Sequence, residues 1–250
     1  MSLRFHEISE RNHRILNPFT VEQLMLLGEL CRLRPGMRQL DLCCGKAEML
    51  CRWADQWGIV GTGVDISRVF LEAAQQRVEE FGVTDRVTLV EADAGSYPID
   101  PGAFDIISCI GATWIGGGLS GTLDLMRPGL RDRTSLLLVG EPFWIEEPPD
   151  EAYDALVDGD HELFTSLTGT LDRIEAAGLE LVEMVLANHH GWDRYEAGQW
   201  LAVSDWLRAS PNAPDADEIR RMNGRYKRAY LTYGRRYFGW GVFVTRQVTP

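Results

Sequence analysis

Residues 39–48 read QLDLCCGKAE, an apolar strand pattern that runs into a turn of small residues and then opens a helix. Small residues in such a turn let a ligand approach the backbone, and the first turn of the helix offers free N–H donors. The dinucleotide fingerprint G-x-G-x-x-G is absent, because Cys43, Gly45 and Glu48 occupy its three glycine positions. The segment therefore predicts a ligand site at a strand–helix junction and argues against a nicotinamide cofactor.

Strand and helix patterns alternate on the carboxyl side of this segment. Strands are predicted at residues 38–42, 59–64, 86–90, 104–110, 134–139, 179–187 and 239–245, and helices at residues 47–57, 68–81, 120–126 and 162–177. Before it, residues 1–20 read as an irregular arm, and a helix runs from the Thr20 cap to Pro35-Gly36. Apolar strands spaced by helices pair in parallel and are covered on both faces. The pattern predicts an α/β doubly wound sheet that binds its ligand beyond the carboxyl ends of the strands.

The composition excludes several classes of partner. The formal net charge is −12, whereas a surface that tracks phosphates needs positive charge, so no nucleic-acid partner is expected. No run approaches the roughly 18 apolar residues of a membrane helix. The polar first 16 residues lack the apolar core of a signal peptide. We expect a cytoplasmic protein without a membrane partner.

Two further features concern metals and anions. The five cysteines include no C-x-x-C pair, so neither a disulfide framework nor a metal site is predicted. Residues 220–236 hold seven Arg and Lys side chains. This basic cluster is either a solvated helix face or a local anion site, and the sequence leaves both possibilities open.

Acidic residues recur near the ends of the early strands. Asp41 lies in the first strand, and Asp65 closes the second strand 24 residues later. An acid at the end of the second strand can accept two hydrogen bonds from ribose hydroxyls. The first segment resembles the first motif of class I methyltransferases that use S-adenosylmethionine (SAM), an acidic residue followed by G-x-G-x-G. Asp41 matches the acid and Gly45 the central glycine, whereas Cys43 and Ala47 replace the outer glycines.

This resemblance implies the cofactor and its contacts. In the family, the acid at the position of Asp93 holds the adenine amino group, and the segment at residues 110–114 runs beside the cofactor. The implied SAM-binding residues are Asp41, Cys43, Gly45, Asp65, Ile66, Asp93, Ala94, Cys109, Ala112 and Trp114.

Four later segments, at residues 111–114, 140–144, 191–196 and 238–241, look like a bacterial subfamily of the same class. The resemblance implies a Rossmann-like sheet of seven strands with an antiparallel last strand, and it does not supply a substrate. It divides the chain into an N-terminal arm and helix (1–35), a SAM-binding domain (36–187), a helical lid insertion (188–237) and the returning last strand (238–250).

The lid segment separates the last two strands by about 50 residues, far more than a usual connection. The family topology places it over the methyl group. Its eight Trp and Tyr residues either exclude water and stabilise a sulfonium cation, or form the core of the lid itself. Candidate catalytic residues here and at the end of the fifth strand are Glu141, His189, Asp193 and Tyr195. His190 and Glu196 are further candidate bases, and the sequence singles out no one of them.

The expected function is methyl transfer from SAM to a small-molecule acceptor by in-line displacement, with S-adenosylhomocysteine (SAH) as product and a monomer or homodimer as the enzyme. A protein or RNA methyltransferase is an alternative, although the acidic balance and the lack of an Asn-Pro-Pro-Tyr signature after the fourth strand count against it. A SAM- or SAH-binding protein without catalysis and a nicotinamide-dependent oxidoreductase are two others.

Overall fold

A computed structural model describes residues 2–248 and shows one seven-stranded sheet. The strands are β1 (Arg38–Leu42), β2 (Val60–Asp65), β3 (Val87–Glu91), β4 (Ile106–Ile110), β5 (Leu136–Trp144), β6 (Leu179–Leu186) and β7 (Phe238–Gln247). Their spatial order is β3-β2-β1-β4-β5-β7-β6, and β7 runs antiparallel to both of its neighbours. The predicted fold class is confirmed. Residues 1, 249 and 250, at the ends of the first and last predicted segments, lie outside the described residues.

Ten helices accompany the sheet in residues 2–248. They are α1 (Leu3–Ser9), α2 (Val21–Leu30), α3 (Glu48–Trp57), α4 (Arg68–Glu80), α5 (Leu119–Met126), α6 (Asp150–Val157), α7 (Leu167–Ala176), α8 (His189–Ala209), α9 (Ala216–Ala229) and α10 (Arg235–Tyr237). A π-helical turn at Tyr230–Gly234 joins α9 to α10. The predicted Thr20 cap is confirmed, since Thr20 and Gln23 form a reciprocal capping box. No helix among the described residues is long and apolar enough to cross a bilayer.

Three local predictions are wrong. Residues 3–9 form a helix rather than an irregular arm, because Ser2 caps the helix and Phe5 and Ile8 are buried against distant residues. The helix expected at residues 162–177 begins only at Leu167, and α6 precedes it unpredicted. Strand β5 continues past residue 139 to Trp144, because residues 140–144 pair with the first half of β7.

Helices cover both faces of the sheet, and successive strand residues alternate between two cores. On one face, Leu27 of α2 and Trp53 of α3 pack with Leu138. On the other face, Leu123 of α5 packs with Leu137, the neighbour of Leu138 along β5. This double coverage explains why the strands read as continuously apolar.

The N-terminal arm and the helices between β6 and β7 form a third layer over one end of the sheet. Phe5 and Ile8 of α1 share a small core with Val203 of α8 and Ile219 of α9. The Phe5 and Tyr226 rings lie 5.3 Å apart. The arm and the helical insertion therefore pack together as one cover, although they are separated by most of the chain.

A pair of helical glycines tests the packing of α2 against α3. A Cβ added at Gly28 would lie 2.5 Å from Trp57 Cη2 and 3.0 Å from Trp53 Nε1, whereas one at Gly224 in α9 meets nothing within 4 Å. We expect Gly28→Ala to lower the free energy of unfolding by about 1–3 kcal/mol through overpacking. Gly224→Ala should raise it by about 1 kcal/mol through helix propensity. Denaturant unfolding of both variants measures the contrast, and equal effects at the two sites would contradict the close packing at Gly28.

Candidate active site

A cavity of about 1050 Å³ opens at the carboxyl ends of β1, β2 and β4. The strand ends and the turns after them form its floor, the N-terminal arm forms one wall, and the helical insertion forms another. Its volume lies just above the range of about 300–1,000 Å³ that is usual for small-molecule sites. The site therefore lies where the topology of a doubly wound sheet places a ligand.

Nine of the ten predicted cofactor-binding residues line this cavity. They are Asp41, Cys43, Gly45, Asp65, Ile66, Asp93, Ala94, Ala112 and Trp114. The tenth, Cys109, is fully buried in the core and does not line the cavity. Cys109 instead contacts Cys43 from beneath, and this contact and burial together raise the pKa of its thiol well above the usual value. Its side chain is a packing element rather than a wall of the site.

The turn after β1 explains why glycine is the usual residue in this motif. Cys43, Gly45 and Ala47 have φ angles of 59°, 54° and 53°, all in the left-handed region. A side chain in that region costs roughly 1–2 kcal/mol, so Cys43 and Ala47 are strained where glycine would not be. The turn keeps its shape because α3, β2 and the arm surround it. Leu16 of the arm packs so closely on Gly45 that an added Cβ would lie 2.6 Å from Leu16 Cδ1.

Asp65 fixes this turn to the end of β2. Its Oδ2 accepts a hydrogen bond from the Gly45 N–H at 2.8 Å, and its Oδ1 accepts one from the Ser67 N–H at 2.8 Å. Burial raises the pKa of the Asp65 carboxyl, and the two N–H groups oppose that shift. The same carboxylate lines the cavity, so it both shapes the turn and faces a bound ligand.

Asp41 lies deeper in the floor of the cavity. Its Oδ1 accepts a hydrogen bond from Ser108 Oγ at 2.6 Å, and burial raises the pKa of the carboxyl to about 7. Asp93, just beyond β3, is exposed, and its Oδ1 accepts a hydrogen bond from the Gly95 N–H at 3.0 Å. The three acids that the sequence places near strand ends are thus brought to one cavity by the parallel strands.

Two large apolar side chains are exposed at the same cavity. Ile66 is 59% exposed and Trp114 is 68% exposed, in contrast to the buried apolar residues of the two cores. Both side chains line the cavity and are accessible to a ligand there. Together with the carboxylates of Asp65 and Asp93, these side chains offer apolar surface for a flat ring and acceptors for hydroxyl and amino groups. The residues present therefore fit an adenosine group.

Lys46 holds the arm against the turn after β1. Its Nζ donates hydrogen bonds to the backbone oxygens of Glu10, Arg11 and His13, at 2.8, 3.1 and 2.6 Å, and its side chain is buried. Burial lowers the pKa of Lys46 to about 8. The lysine next to the central glycine of the motif therefore fastens the end of α1 over the cavity.

Glu10 connects this arm to the helical insertion. Its Oε1 accepts hydrogen bonds from Tyr195 Oη at 2.6 Å and Gln199 Nε2 at 2.7 Å, and its Oε2 lies 2.7 Å from His13 Nδ1. Glu10 is fully buried. Sequence reasoning did not identify Glu10 or the role of Lys46, because their partners lie far away in sequence and form no local motif.

The predicted catalytic residues are not brought together. Glu141 is 2% exposed and does not line the cavity, and its Oε2 accepts a hydrogen bond from Thr113 Oγ1 at 3.0 Å. His189 is exposed and lines a separate, smaller cavity of about 270 Å³. Asp193 accepts hydrogen bonds from Tyr230 Oη at 2.8 Å and Arg235 Nε at 3.0 Å, and it lies outside the main cavity. Among these four candidates only Tyr195 lines the main cavity, and its hydroxyl is bound to Glu10.

The basic cluster at residues 220–236 is largely paired with acids. Arg220, Arg225, Arg235 and Arg236 form ion pairs with Asp217, Asp158, Asp193 and Glu146. These pairs favour the solvated helix face over an anion site.

Comparisons with known proteins agree with the geometry. A family model described as a methyltransferase domain matches residues 40–128. SAM-dependent methyltransferases from Geobacter sulfurreducens and Thiobacillus denitrificans, each solved in complex with SAH, align with TM-scores of 0.93 and 0.92. They are 42% and 41% identical to this chain, with 99% of both chains covered in each case. The protein YjhP of Escherichia coli K12 is 43% identical over 242 residues, which cover 96% of this chain and 97% of YjhP.

Fold, site and relatives define a class I enzyme that transfers methyl groups from SAM. The chain belongs to the SAM-dependent methyltransferases, together with its full-length relatives from Geobacter and Thiobacillus. This assignment sets aside the nicotinamide-dependent oxidoreductase that the sequence left as an alternative.

The lysine contact with the arm is open to a direct test. Lys46→Met keeps most of the buried stem but leaves three backbone carbonyls without their donor, which costs about 1–3 kcal/mol. We expect a lower melting temperature and faster hydrogen exchange in residues 2–18. The matched control is Lys227→Met, because Lys227 Nζ lies 5.1 Å from the Trp200 ring and its removal leaves no buried carbonyl of the arm without a donor. If hydrogen exchange in the arm of the Lys46→Met variant were unchanged, Lys46 would not hold the arm against the turn after β1.

Burial of the Glu141 carboxyl gives the stability of the protein a pH dependence that can be measured. Burial raises the pKa of Glu141 from 4.5 to about 7, and its Oε1 has no hydrogen-bond partner among residues 2–248. A carboxyl whose pKa is raised in the folded state contributes stability below the unfolded pKa and loses it as the pH rises through the folded pKa. Glu141→Gln removes this loss. The unsubstituted protein should lose about 2–3 kcal/mol of its free energy of unfolding between about pH 5 and about pH 8 because Glu141 ionises, and the Glu141→Gln variant should not show this loss.

Denaturant unfolding at the two pH values measures this difference. The control is Glu175→Gln, which removes a carboxyl from the exposed surface instead of the interior. A pH-independent effect of Glu141→Gln would show that Glu141 ionises normally in the folded protein.

Proposed function

We propose that this enzyme methylates a small-molecule acceptor inside the cavity by in-line displacement. The observation that carries this proposal is the cover formed by the arm and the helical insertion over the strand ends. Lys46 and Glu10 fasten that cover, and Tyr195 contributes both to the cavity wall and to the link with Glu10. A partly covered cavity of this volume favours a small acceptor over a folded protein or an RNA helix.

We assign the roles in the cofactor half of the cavity by position. The Asp65 carboxylate accepts hydrogen bonds from the ribose hydroxyls, and the Asp93 carboxylate accepts one from the adenine amino group. The Ile66 and Trp114 side chains flank the adenine ring. The turn at residues 43–47 lies against the methionine end of the cofactor, where the Cys43 side chain narrows the space that a glycine would leave open.

SAM supplies an electrophilic methyl group bound to a sulfonium. A lone pair of the acceptor attacks the methyl carbon, and the electrons of the carbon–sulfur bond stay on sulfur. The protein's own contribution is to hold the acceptor on the line of that bond and to exclude water. The aromatic side chains of the cover supply water exclusion, and their ring faces stabilise positive charge near the reacting carbon.

Substitution of Asp65 tests the assigned cofactor contacts. Asp65→Asn should weaken SAH binding by about 1–3 kcal/mol, or roughly fivefold to 150-fold, through loss of hydrogen bonds to a charged group. Isothermal titration measures the affinity, and circular dichroism checks the fold, because Asp65 also holds the Gly45 turn. The matched control is the exposed Asp85→Asn, which should bind SAH like the unsubstituted protein. Unchanged affinity in a folded Asp65→Asn variant would refute the ribose contact.

Labelled SAM tests the size of the acceptor. The enzyme is incubated with SAM carrying a labelled methyl group and a cell extract that contains metabolites, proteins and RNA. We expect the label to pass an ultrafiltration membrane that retains macromolecules. Label found only in retained protein or RNA would overturn the small-molecule assignment.

A further inference from the structure

The part of the cavity under the helical insertion has an aromatic wall. The rings that line it are Phe164, Trp192, Tyr195, Tyr226, Tyr230, Phe238 and Trp240. Several of these rings brace one another, since Trp192 stacks with Tyr230 at 6.4 Å and with Phe238 at 6.2 Å between centroids. Ring faces of this kind attract cations and exclude water. This region, the aromatic chamber, lies beyond the residues assigned to the cofactor.

One carboxyl group faces this chamber. Glu196 of α8 lines the cavity, and its Oε1 accepts a hydrogen bond from Trp192 Nε1 at 3.3 Å. Within residues 2–248, this indole N–H is the only hydrogen-bond donor that the Glu196 carboxyl has. Burial raises the pKa of Glu196 to about 7. Its second oxygen, Oε2, is free to bind a ligand.

The other carboxyls that line the cavity are already bound. Asp41 accepts from Ser108, Asp65 accepts from two backbone N–H groups, and Asp93 accepts from Gly95 and Ser96. Glu48 is held by three arginines, Arg14, Arg52 and Arg77, at 2.8–3.0 Å. Glu196 therefore differs from them in having no strong partner of its own.

The cations that line the cavity are also bound. Arg14 pairs with Glu48 and Glu80, and Lys46 donates to three carbonyls. Burial lowers the pKa of the His6 imidazole, which favours its neutral form. The described walls of the cavity thus offer no unpaired cation to an anionic acceptor. They offer a carboxyl and ring faces, which together recognise a cation.

We propose that the methyl acceptor is a small amine whose nitrogen binds Glu196 inside the aromatic chamber, and that Glu196 removes a proton from it. This inference rests on the proposed function and names the substrate class of the same site. The acceptor enters as an ammonium ion and pairs with the Glu196 carboxylate. One proton passes from nitrogen to Glu196, which leaves a neutral amine with a lone pair.

The remaining steps balance without a further reactant. The amine lone pair forms the new nitrogen–carbon bond while the carbon–sulfur bond breaks, and its electrons stay on sulfur. The methylated nitrogen is again a cation, which the ring faces stabilise. Glu196 returns its proton to solvent when the product leaves. A pKa near 7 suits this group to both proton transfers.

Binding of matched probes in the presence of SAH tests this proposal without turnover. The probes are 2-phenylethylamine, 2-phenylethanol and phenylacetate, which share an aromatic body and differ in the charge and type of the polar end. We expect isothermal titration to show the amine binding more tightly than both others by roughly tenfold or more, as for a hydrogen bond to a charged group. Equal binding of the amine and the alcohol, preference for the carboxylate, or no binding of the amine would each overturn the proposal.

Two matched variants assign the preference to Glu196. Glu196→Gln keeps an acceptor for Trp192 Nε1 and should abolish the preference for the amine while leaving SAH affinity unchanged. Asp205→Asn removes an exposed carboxyl of the same helix and should keep that preference. An unchanged preference in Glu196→Gln would overturn the role of this residue. The probe comparison in the unsubstituted protein is decisive even if Glu196→Gln fails to fold.

The label experiment separates this inference from the proposed function. Labelled methyl groups found in small amines would support both the small-molecule function and the amine assignment. Label in small alcohols, thiols or carbon acids, and not in amines, overturns the amine assignment and leaves the small-molecule function intact. Label confined to protein or RNA overturns the proposed function itself.

Discussion

The site depends on the parallel pairing of β1 between β2 and β4. Leu42 at the end of β1 stands beside Val64 of β2 and Cys109 of β4, so three strands end at nearly the same level. Their following turns must then share one edge of the sheet, and polar residues from distant parts of the sequence meet there. The contact between Asp65 and the Gly45 N–H ties two of these turns together. A slip of one residue in this register would reverse the faces of β1 and separate the turns.

The strand ends form the floor of the cavity, and the N-terminal arm and the helical insertion cover it. Among the contacts of the arm with the floor are the hydrogen bonds of Lys46 in the turn after β1 and the one that Glu7 accepts from Ser67 Oγ at 2.8 Å. The insertion contacts the arm through Tyr195 and Glu10. A chain of hydrogen bonds thus runs from Lys46 in the turn after β1, through Glu10 of the arm, to Tyr195 of the insertion.

The sequence was sufficient for the sheet and for most of the floor of the cavity. Strand periodicity, helix caps and strand-end acids are local signals, and the family resemblance supplied the antiparallel β7. The side chain of Cys109 lies in the core and not in the cavity wall, because successive strand residues alternate between faces and the motif does not say which face meets the ligand. Helix α1 was missed because its apolar stripe is only two residues, Phe5 and Ile8, and the core that buries them comes from α8 and α9.

The candidate catalytic residues were harder to predict for a related reason. Glu141 follows the predicted fifth strand (134–139) in the way that strand-end acids often do. In the structure, residues 140–144 continue β5 and pair with β7, so the Glu141 side chain stays in the interior. His189 and Asp193 belong to the first turns of a long helix that presents different side chains to solvent and to the cavity. Position along the helix decides which residue reaches the chamber, and Glu196 lies on the same side as Trp192 one turn earlier.

Among the charged groups that line the described walls of the cavity, carboxyls outnumber basic groups. The basic side chains among its described walls are already bound. Arg14 forms ion pairs with Glu48 and Glu80, and Lys46 donates hydrogen bonds to backbone carbonyls. Burial of these acids is tolerated because Asp65 accepts backbone N–H bonds, Glu48 is paired, and the raised pKa of Asp41 limits its charge. A sulfonium donor gains from such a field, whereas the thioether left after transfer carries no charge on sulfur and loses that attraction. The charge distribution that draws the donor into the crevice therefore also weakens the hold on the product at the sulfur, without any change in the contacts to the adenosine end.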